Sequence, residues 1–224
     1  TVPTAKPQPG HTFTVFTSPR NRAHTLERPF RSLQAQTFRD FEWLIVDNDS
    51  TDGTAELVER FKSEADFPIR YFWQEDAGKQ GSMNRAVKLA DGEFFLTLDS
   101  DDGCVPDALE RFKYHWDSIP PAEREAFTGV TVLCNDEHGA LVGSRFPNDP
   151  TDSDSREIRY RYHVTGEKWG FHRTAVLRAH PLPDVPGYRG LIPFSLMWSE
   201  IARSSKTRYV NAGPPVYWAA QPVR

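Results

Sequence analysis

The chain has 224 residues, of which 38% are hydrophobic and 26% are charged, and its net charge is -4 at pH 7. This length suits one globular domain around a single core, and no shift in composition divides the chain. The acidic balance, with lysine and arginine spread rather than clustered, argues against a nucleic acid partner. Cys104 and Cys134 are too few for a disulfide framework and lack zinc spacing, so a reducing compartment is expected.

The hydropathy pattern predicts a protein without a transmembrane segment. No apolar stretch approaches the roughly 20 residues that a membrane-spanning helix needs. Residues 1–10 are Pro-rich and are expected to be an N-terminal tail rather than a signal peptide. We therefore expect a cytoplasmic location, with peripheral attachment to a membrane left open.

Apolar strand patterns alternate with helical patterns through the first half of the chain. This alternation predicts βαβ units, an α/β fold class and a mostly parallel central sheet flanked by helices. Strands are predicted at 12–17, 42–47, 69–74 and 93–98, and helices at 25–36, after Asp52, and around Met83, Ala86, Val87 and Ala90. In such a sheet, ligands bind outside the carboxyl ends of the strands.

The second half has a less regular pattern. A helix carries Leu109, Phe112 and Trp116, and a hairpin is predicted from strands at 128–135 and 140–146. The acidic segment 147–155 has the composition of a mobile loop. Two short helices, "TAVLRA" and "SLMWSEIARS", precede a final strand at 207–212.

Acidic side chains follow two of the predicted strands where each ends. Asp47 and Asp49 follow the second strand, and "TLDSDDG" places Asp99, Asp101 and Asp102 after the fourth. Like charges this close repel unless something compensates them. Mg²⁺ or Mn²⁺ takes oxygen ligands and is usually held by one or two carboxylates. The Asp-x-Asp spacing therefore predicts a metal site, while a solvated turn or helix cap is the alternative.

Two stretches carry a resemblance to a known family: "TVFTSPRNRAHTLERPFRSLQAQTFRDFEWLIVDNDSTDGT" (14–54) and "DAGKQGSMNRAVKLADGEFFLTLDSDDGCVPDAL" (76–109). They resemble the nucleotide-binding half of the family 2 glycosyltransferases, which have the GT-A fold. The resemblance implies a nucleotide-sugar-binding half at 11–105 and an acceptor-binding half at 106–224. It also implies metal-dependent, inverting transfer of a sugar from a nucleotide diphosphate sugar to an acceptor hydroxyl, with Mn²⁺ or Mg²⁺ as cofactor.

The resemblance also assigns roles to residues. It implies a nucleotide-sugar site made of Thr17, Arg22, Asp47, Asp49, Lys79, Asn84, Asp99 and Ser100, with Asn48 nearby, and a metal held by Asp101 and Asp99. A carboxylate after the second strand can accept the N3 proton of uracil or the N1 proton of guanine, a donor that cytosine lacks. A UDP-sugar is therefore the first expectation. Arg85 could assist the phosphates or sugar hydroxyls, and the alternative is that it is merely solvated. For Asn84, the alternative to a substrate contact is a hydrogen bond at a helix end.

An inverting transfer needs a general base near the acceptor hydroxyl. The family commonly places an acidic residue shortly before a late helix, but "GLIPFSLMWSEIARS" resembles that segment with Phe194 at the position. Asp184 and Glu200 are the predicted catalytic residues, Asp184 ranking first, and Glu167 is a further candidate. Asp184 as a turn residue and Glu200 as a solvated residue remain the alternatives.

Several interpretations stay open. His172 is either a metal or phosphate ligand or a structural residue at a helix start, and Trp169 and Trp198 either stack on a sugar or belong to the core. Phe194 favours a second hypothesis, a catalytically impaired nucleotide-sugar-binding domain. A nucleotidyltransferase is disfavoured because "TSPRNRAH" contains no glycine for a phosphate loop. The acceptor, expected against the second half and the 147–155 loop, is a glycan, lipid carrier, protein or small molecule.

Overall fold

The computed structural model describes residues 9–136, 138–183 and 192–211, and the backbone of 216–218. The strands are β1 (His11–Thr17), β2 (Phe41–Asn48), β3 (Ile69–Gln74), β4 (Gly92–Thr97), β5 (Gly103–Cys104), β6 (Phe127–Leu133), β7 (Asn135–Asp136), β8 (Thr151–Ser153), β9 (Lys168–Arg173), β10 (Lys206–Val210) and β11 (Val216–Trp218). The helices are α1 (Glu27–Gln34), α2 (Thr54–Glu64), α3 (Gly78–Leu89), α4 (Ala108–Asp117), α5 (Thr174–Ala179) and α6 (Ser195–Ile201).

The strands build one large sheet and one small one. The large sheet has eight strands in the order β3-β2-β1-β4-β9-β6-β10-β8, and β5-β11-β7 form the small one. Neighbours are parallel from β3 to β4 and between β6 and β10, whereas β9 runs antiparallel to both β4 and β6. The α/β fold class is confirmed, with a parallel first half and a mixed second half.

Each face of the large sheet carries its own hydrophobic core. All eight residues of β2 are buried, as expected for a continuous apolar run between two helical layers. On one face, Phe30 of α1 stacks on Phe61 of α2 at 4.0 Å between ring centroids, and Trp43 of β2 packs beside both. On the other face, α3 buries Met83, as its helical spacing predicts.

Three predictions in the second half were wrong. Residues 140–146 form no strand of a hairpin beyond a single bridge between Asn135 and Leu141, because β9 and β10 occupy the edges of β6 that a hairpin partner would need. The 147–155 segment is not merely a loop, since β8 lies within it and pairs with β10. His172 lies within strand β9 rather than at a helix start.

No helix in the described part of the chain is both long enough and apolar enough to span a bilayer.

Truncation of Phe30 tests the first core. Phe30→Ala removes a fully buried ring that stacks on Phe61, so it should lower the free energy of unfolding by about 3 to 5 kcal/mol. The measurement is urea unfolding followed by circular dichroism. As a control, Tyr114→Ala removes a ring that is 69% exposed and should cost less than about 0.5 kcal/mol. Equal losses in the two variants would contradict this account of the core.

Candidate functional site

A cavity of about 350 Å³ opens at the carboxyl end of β4, and both halves of the chain line it. Lys79, Asp99 and Asp102 lie in its wall on the side of the first half. The second half contributes side chains from β9 and α6, among them His172 and Trp198. The position agrees with the rule that ligands bind beyond the carboxyl ends of the strands in an open α/β sheet.

Thr17, the last residue of β1, stabilises the fold, whereas Arg22 in the loop after β1 reaches the Asp101 carboxylate. The buried Thr17 hydroxyl donates to the backbone carbonyl of Leu98 at 2.7 Å and accepts from the indole of Trp43 at 2.9 Å. Arg22 lies farther along, with a guanidinium nitrogen 3.8 Å from the Asp101 carboxylate. The structure therefore brings Arg22 to the cluster, while the Thr17 side chain is already engaged inside the protein.

The turn after β2 is held by hydrogen bonds to its polar side chains. Asp47 is fully buried, and its carboxylate accepts from the backbone N–H of Ser50 at 2.9 Å and from the Tyr71 hydroxyl at 2.7 Å. Burial, and then this bond to Asp47, raise the pKa of Tyr71, so its hydroxyl keeps its proton. Asp49 has a left-handed backbone, φ 72°, which is uncommon outside glycine. Its carboxylate is partly exposed, 3.9 Å from Arg20.

The carboxylates after β4 form a tight acidic group. Both oxygens of Asp99 lie 3.0 Å from the Lys79 ammonium, and Arg28 donates to the backbone carbonyl of Asp101. Burial, and then the charges of Asp99 and Asp101, raise the pKa of Asp102 to about 7. Ser100, between Asp99 and Asp101 in the sequence, is buried. Three carboxylates and three cationic side chains, Lys79, Arg22 and Arg28, therefore stand together beside the cavity.

This group fits a divalent cation that the protein holds only in part. Within the described residues, no three His, Cys, Asp or Glu side chains are arranged to hold a metal ion by themselves. Mg²⁺ and Mn²⁺ in substrate complexes usually take one or two carboxylates and complete their shell with water and phosphate oxygens. Asp99 and Asp101 supply carboxylate oxygens of the kind that such a cation takes.

Asn84 and Arg85, both on α3, make contacts that stabilise the fold. Asn84 donates to the backbone carbonyl of Leu182 at 2.8 Å and accepts from its N–H at 2.9 Å, so its amide bridges α3 to the segment after α5. Arg85 donates to the carbonyl of Trp73 at 3.0 Å and lies over the Phe72 ring. Neither side chain lines the cavity, so the prediction of Asn84 as a nucleotide-sugar contact gains no support.

The candidate general bases lie in different parts of the chain, and they differ in whether they line the cavity. Glu200 is exposed on α6 and pairs with Arg203 at 3.1 Å, outside the cavity, and Asp184 lies outside the described residues. Phe194 does line the cavity, so that part of the wall is apolar. Glu167, immediately before β9, lines it as well.

Three aromatic side chains of the second half make structural contacts. The indole of Trp169 donates to the backbone carbonyl of Thr97 at 2.6 Å, joining β9 to the end of β4. His172 lies with Nδ1 3.2 Å from the Thr128 hydroxyl, and Trp198 stacks on its ring at 4.4 Å. Burial lowers the pKa of His172 to about 4, so the imidazole is neutral at pH 7. The strand β9 that carries two of these residues had only a weak signal, the alternation of Trp169 and Phe171.

A family model described as Glycosyl transferase family 2 matches residues 14–198. The GalNAc(5)-diNAcBac-PP-undecaprenol beta-1,3-glucosyltransferase of Campylobacter jejuni is 35% identical over 137 residues, which cover 60% of this chain and 42% of that protein. The UDP-Glc:alpha-D-GlcNAc-diphosphoundecaprenol beta-1,3-glucosyltransferase WfgD of Escherichia coli is 37% identical over 91 residues, 40% of this chain and 35% of WfgD. The chain thus spans less than half the length of these relatives.

Solved structures share the fold. The crystal structure of S. aureus TarS 1-349 in complex with UDP-GlcNAc has a TM-score of 0.71 at 21% identity and covers 95% of this chain and 60% of that one. Mannosyltransferase PcManGT from Pyrobaculum calidifontis, in complex with GDP-Man and Mn2+, has a TM-score of 0.64 at 21% identity, covering 96% and 58%. These likenesses establish the fold, which is the GT-A fold expected from the sequence.

The buried imidazole predicts a specific pH dependence of stability. Since the pKa of His172 falls from 6.5 to about 4 on folding, the unfolded chain takes up the proton first as the pH drops. The stabilisation is complete above pH 6.5 and is lost as the pH falls toward 4. Between pH 7 and pH 5, the wild type should lose about 2 kcal/mol more than His172→Gln, which cannot titrate there.

Urea unfolding of both proteins at the two pH values measures this difference. All other titrating groups are shared by the two proteins, so their contributions cancel in the comparison. Parallel losses in the wild type and the variant would show that the imidazole is protonated equally in the folded and unfolded chains.

Proposed function

The chain belongs to glycosyl transferase family 2, and from this membership we propose that it transfers a sugar from a UDP-sugar to an acceptor hydroxyl, with inversion at the anomeric carbon. The observation that carries the proposal is the cavity of about 350 Å³, which joins the acidic group at the end of β4 to walls from the second half. A donor bound at the acidic end places its sugar toward β9 and α6, where an acceptor has room to enter.

The nucleoside is proposed to bind between the loop after β1 and the turn after β2. A base N–H donates to the Asp47 carboxylate in this proposal, since a carboxylate has more acceptor sites than its two present bonds use. Asp47 is fully buried, so this contact requires the Tyr71 hydroxyl or the Ser50 turn to move. TarS was solved with UDP-GlcNAc and WfgD is named for UDP-Glc, which supports a uracil base over the guanine of the PcManGT complex.

The leaving diphosphate is proposed to bind at the acidic group. Asp99 and Asp101 are the residues that would hold Mn²⁺ or Mg²⁺, which stabilises the charge that develops on the diphosphate as the sugar leaves. Lys79 and Arg22, already beside these carboxylates, are placed to turn toward phosphate oxygens. Because their charge acts most strongly on the departing diphosphate, they favour the transition state over the bound donor.

Two relatives are named for undecaprenol-linked acceptors. A glycan on a lipid carrier is therefore the first acceptor class to test, and a location at the membrane periphery would follow from it. A protein or a small molecule remains the next choice.

Phe194 supports a second candidate function, a nucleotide-sugar-binding domain without turnover. Its ring lines the cavity where the family commonly carries an acid. This candidate predicts binding of the donor without release of the nucleotide.

Calorimetric titration with UDP, GDP and dTDP, each with and without Mn²⁺, tests the donor site. UDP should bind tightest and only with the metal, and Asp101→Asn should weaken this binding at least about tenfold because a charged metal ligand is lost. Asp117→Asn, at the far end of α4 beside Lys113, is the matched control and should leave the affinity unchanged.

Binding of no nucleotide by the folded protein would refute the donor site. Equal metal-dependent affinity in wild type and Asp101→Asn would refute the assignment of the metal to this carboxylate.

A further inference from the structure

Of the carboxylates that the structure describes, only Asp99, Asp102 and Glu167 line the cavity. Asp99 is neutralised by Lys79, and Asp102 is buried within the acidic group that faces the diphosphate. Glu167 is exposed on the opposite element, and no described side chain forms a hydrogen bond or ion pair with its carboxylate. Its carboxylate is thus available as a proton acceptor in the wall of the proposed transfer site, with the Lys168 ammonium as a neighbouring charge.

The paired strands β4 and β9 lead to the cavity that Glu167 and the acidic group line. β9 runs antiparallel to β4 with Phe95 opposite His172 and Leu96 opposite Phe171. The bond from the Trp169 indole to the Thr97 carbonyl continues this contact beyond the paired residues. Beyond this bond the chain after β4 turns, with the Asp102 N–H donating to the Asp99 carbonyl at 3.2 Å, and both Asp99 and Glu167 line the cavity that opens there.

The turn that presents Glu167 is rigidly supported. Gly166 and Gly143 both have a left-handed backbone, φ 81° and 89°, and a Cβ on Gly166 would lie 2.3 Å from the Val142 carbonyl oxygen. The Thr165 carbonyl accepts from the backbone N–H of Ser144 at 3.1 Å, and the Thr165 N–H donates to the Ser144 hydroxyl at 2.9 Å. Such close backbone contact fixes the turn, which is what the placement of a reacting group requires.

We propose that Glu167 is the general base of the transfer, in place of the acid that Phe194 replaces; this inference rests on the proposed function. The proton of the acceptor hydroxyl passes to a Glu167 oxygen while the acceptor oxygen forms its bond to the anomeric carbon. The bond from that carbon to the diphosphate oxygen breaks, and its electron pair leaves on the diphosphate.

His172 is a further proton acceptor in the cavity wall, and it suits the role less well. Its imidazole lies under the Trp198 ring and beside the Thr128 hydroxyl. Burial disfavours the imidazolium that proton uptake would create, as the pKa of about 4 reflects. By contrast, the Glu167 side chain is exposed in the cavity wall, where an acceptor hydroxyl can reach its carboxylate.

A comparison of water and azide as acceptors distinguishes a general base from a residue with only a structural role. UDP release from UDP-glucose and UDP-N-acetylglucosamine with Mn²⁺ is measured with water alone as acceptor and then with added sodium azide. Water must lose a proton, whereas azide is already an anion and has none to lose. Glu167→Gln should slow release to water by about 10²- to 10⁴-fold and leave azide-driven release within about twofold of wild type. UDP affinity should be unchanged.

Two further variants complete the experiment. Glu123→Gln changes an exposed glutamate of the Pro121–Ala126 turn and serves as the control with wild-type rates. Asp184→Asn tests the rival base predicted from the sequence. Loss of both rates in Glu167→Gln, an unchanged rate with water, or the azide pattern in Asp184→Asn instead would each overturn the assignment of Glu167. A wild type that releases no UDP under any condition would refute the proposed transferase function itself.

Discussion

The antiparallel contact between β4 and β9 is the constraint on which the site depends. The acidic group follows β4, and β9 contributes to the cavity wall, so the pairing of these strands sets how the two parts of the wall are placed. The Trp169 indole, bonded to the Thr97 carbonyl at 2.6 Å, fastens the two strands just before they separate around the cavity. Both halves of the chain share one sheet, and both contribute to the cavity wall.

The electrostatics of the cavity follow from where its charges lie in the fold. Three carboxylates occupy four consecutive positions after β4. Lys79 reaches them from the start of α3, and Arg22 reaches them from the loop after β1. This mixture is suited to a ligand that brings both negative charge and a cation, because the ligand can exchange partners with side chains already present. An isolated anion would meet the carboxylates, and an isolated cation would meet the ammonium and guanidinium groups.

Much of the first half could be predicted from the sequence because its signals are local. The continuous apolar run of β2 and the stripe around Met83 report burial directly, and the acidic turns sit where strands end. In the second half, the pairing of the strands depends on contacts between residues far apart in the sequence. β9 inserts between β4 and β6, and β8 joins the edge of β10, so neither pairing follows from the neighbouring sequence. The predicted hairpin was wrong for that reason.

The site shows the same division. Lys79 and Asp99 come together as expected at the strand ends, but nothing in the local sequence shows that the Asn84 amide bonds to the backbone of Leu182. Nor does it show that Glu167 enters the cavity while Glu200 points to solvent. Such outcomes depend on which elements pack together, and a single sequence carries little information about that.

Asn48 ties the turn after β2 to the beginning of α3. Its amide donates to Asp76 at 2.7 Å and accepts from the Ala77 N–H at 3.0 Å, and Asp76 in turn accepts from the Gly78 N–H at 3.0 Å. Lys79 is the next residue. A displacement of the turn must therefore pull on the first residues of α3, so in the proposed binding mode the entry of the base is mechanically linked to the position of the Lys79 ammonium.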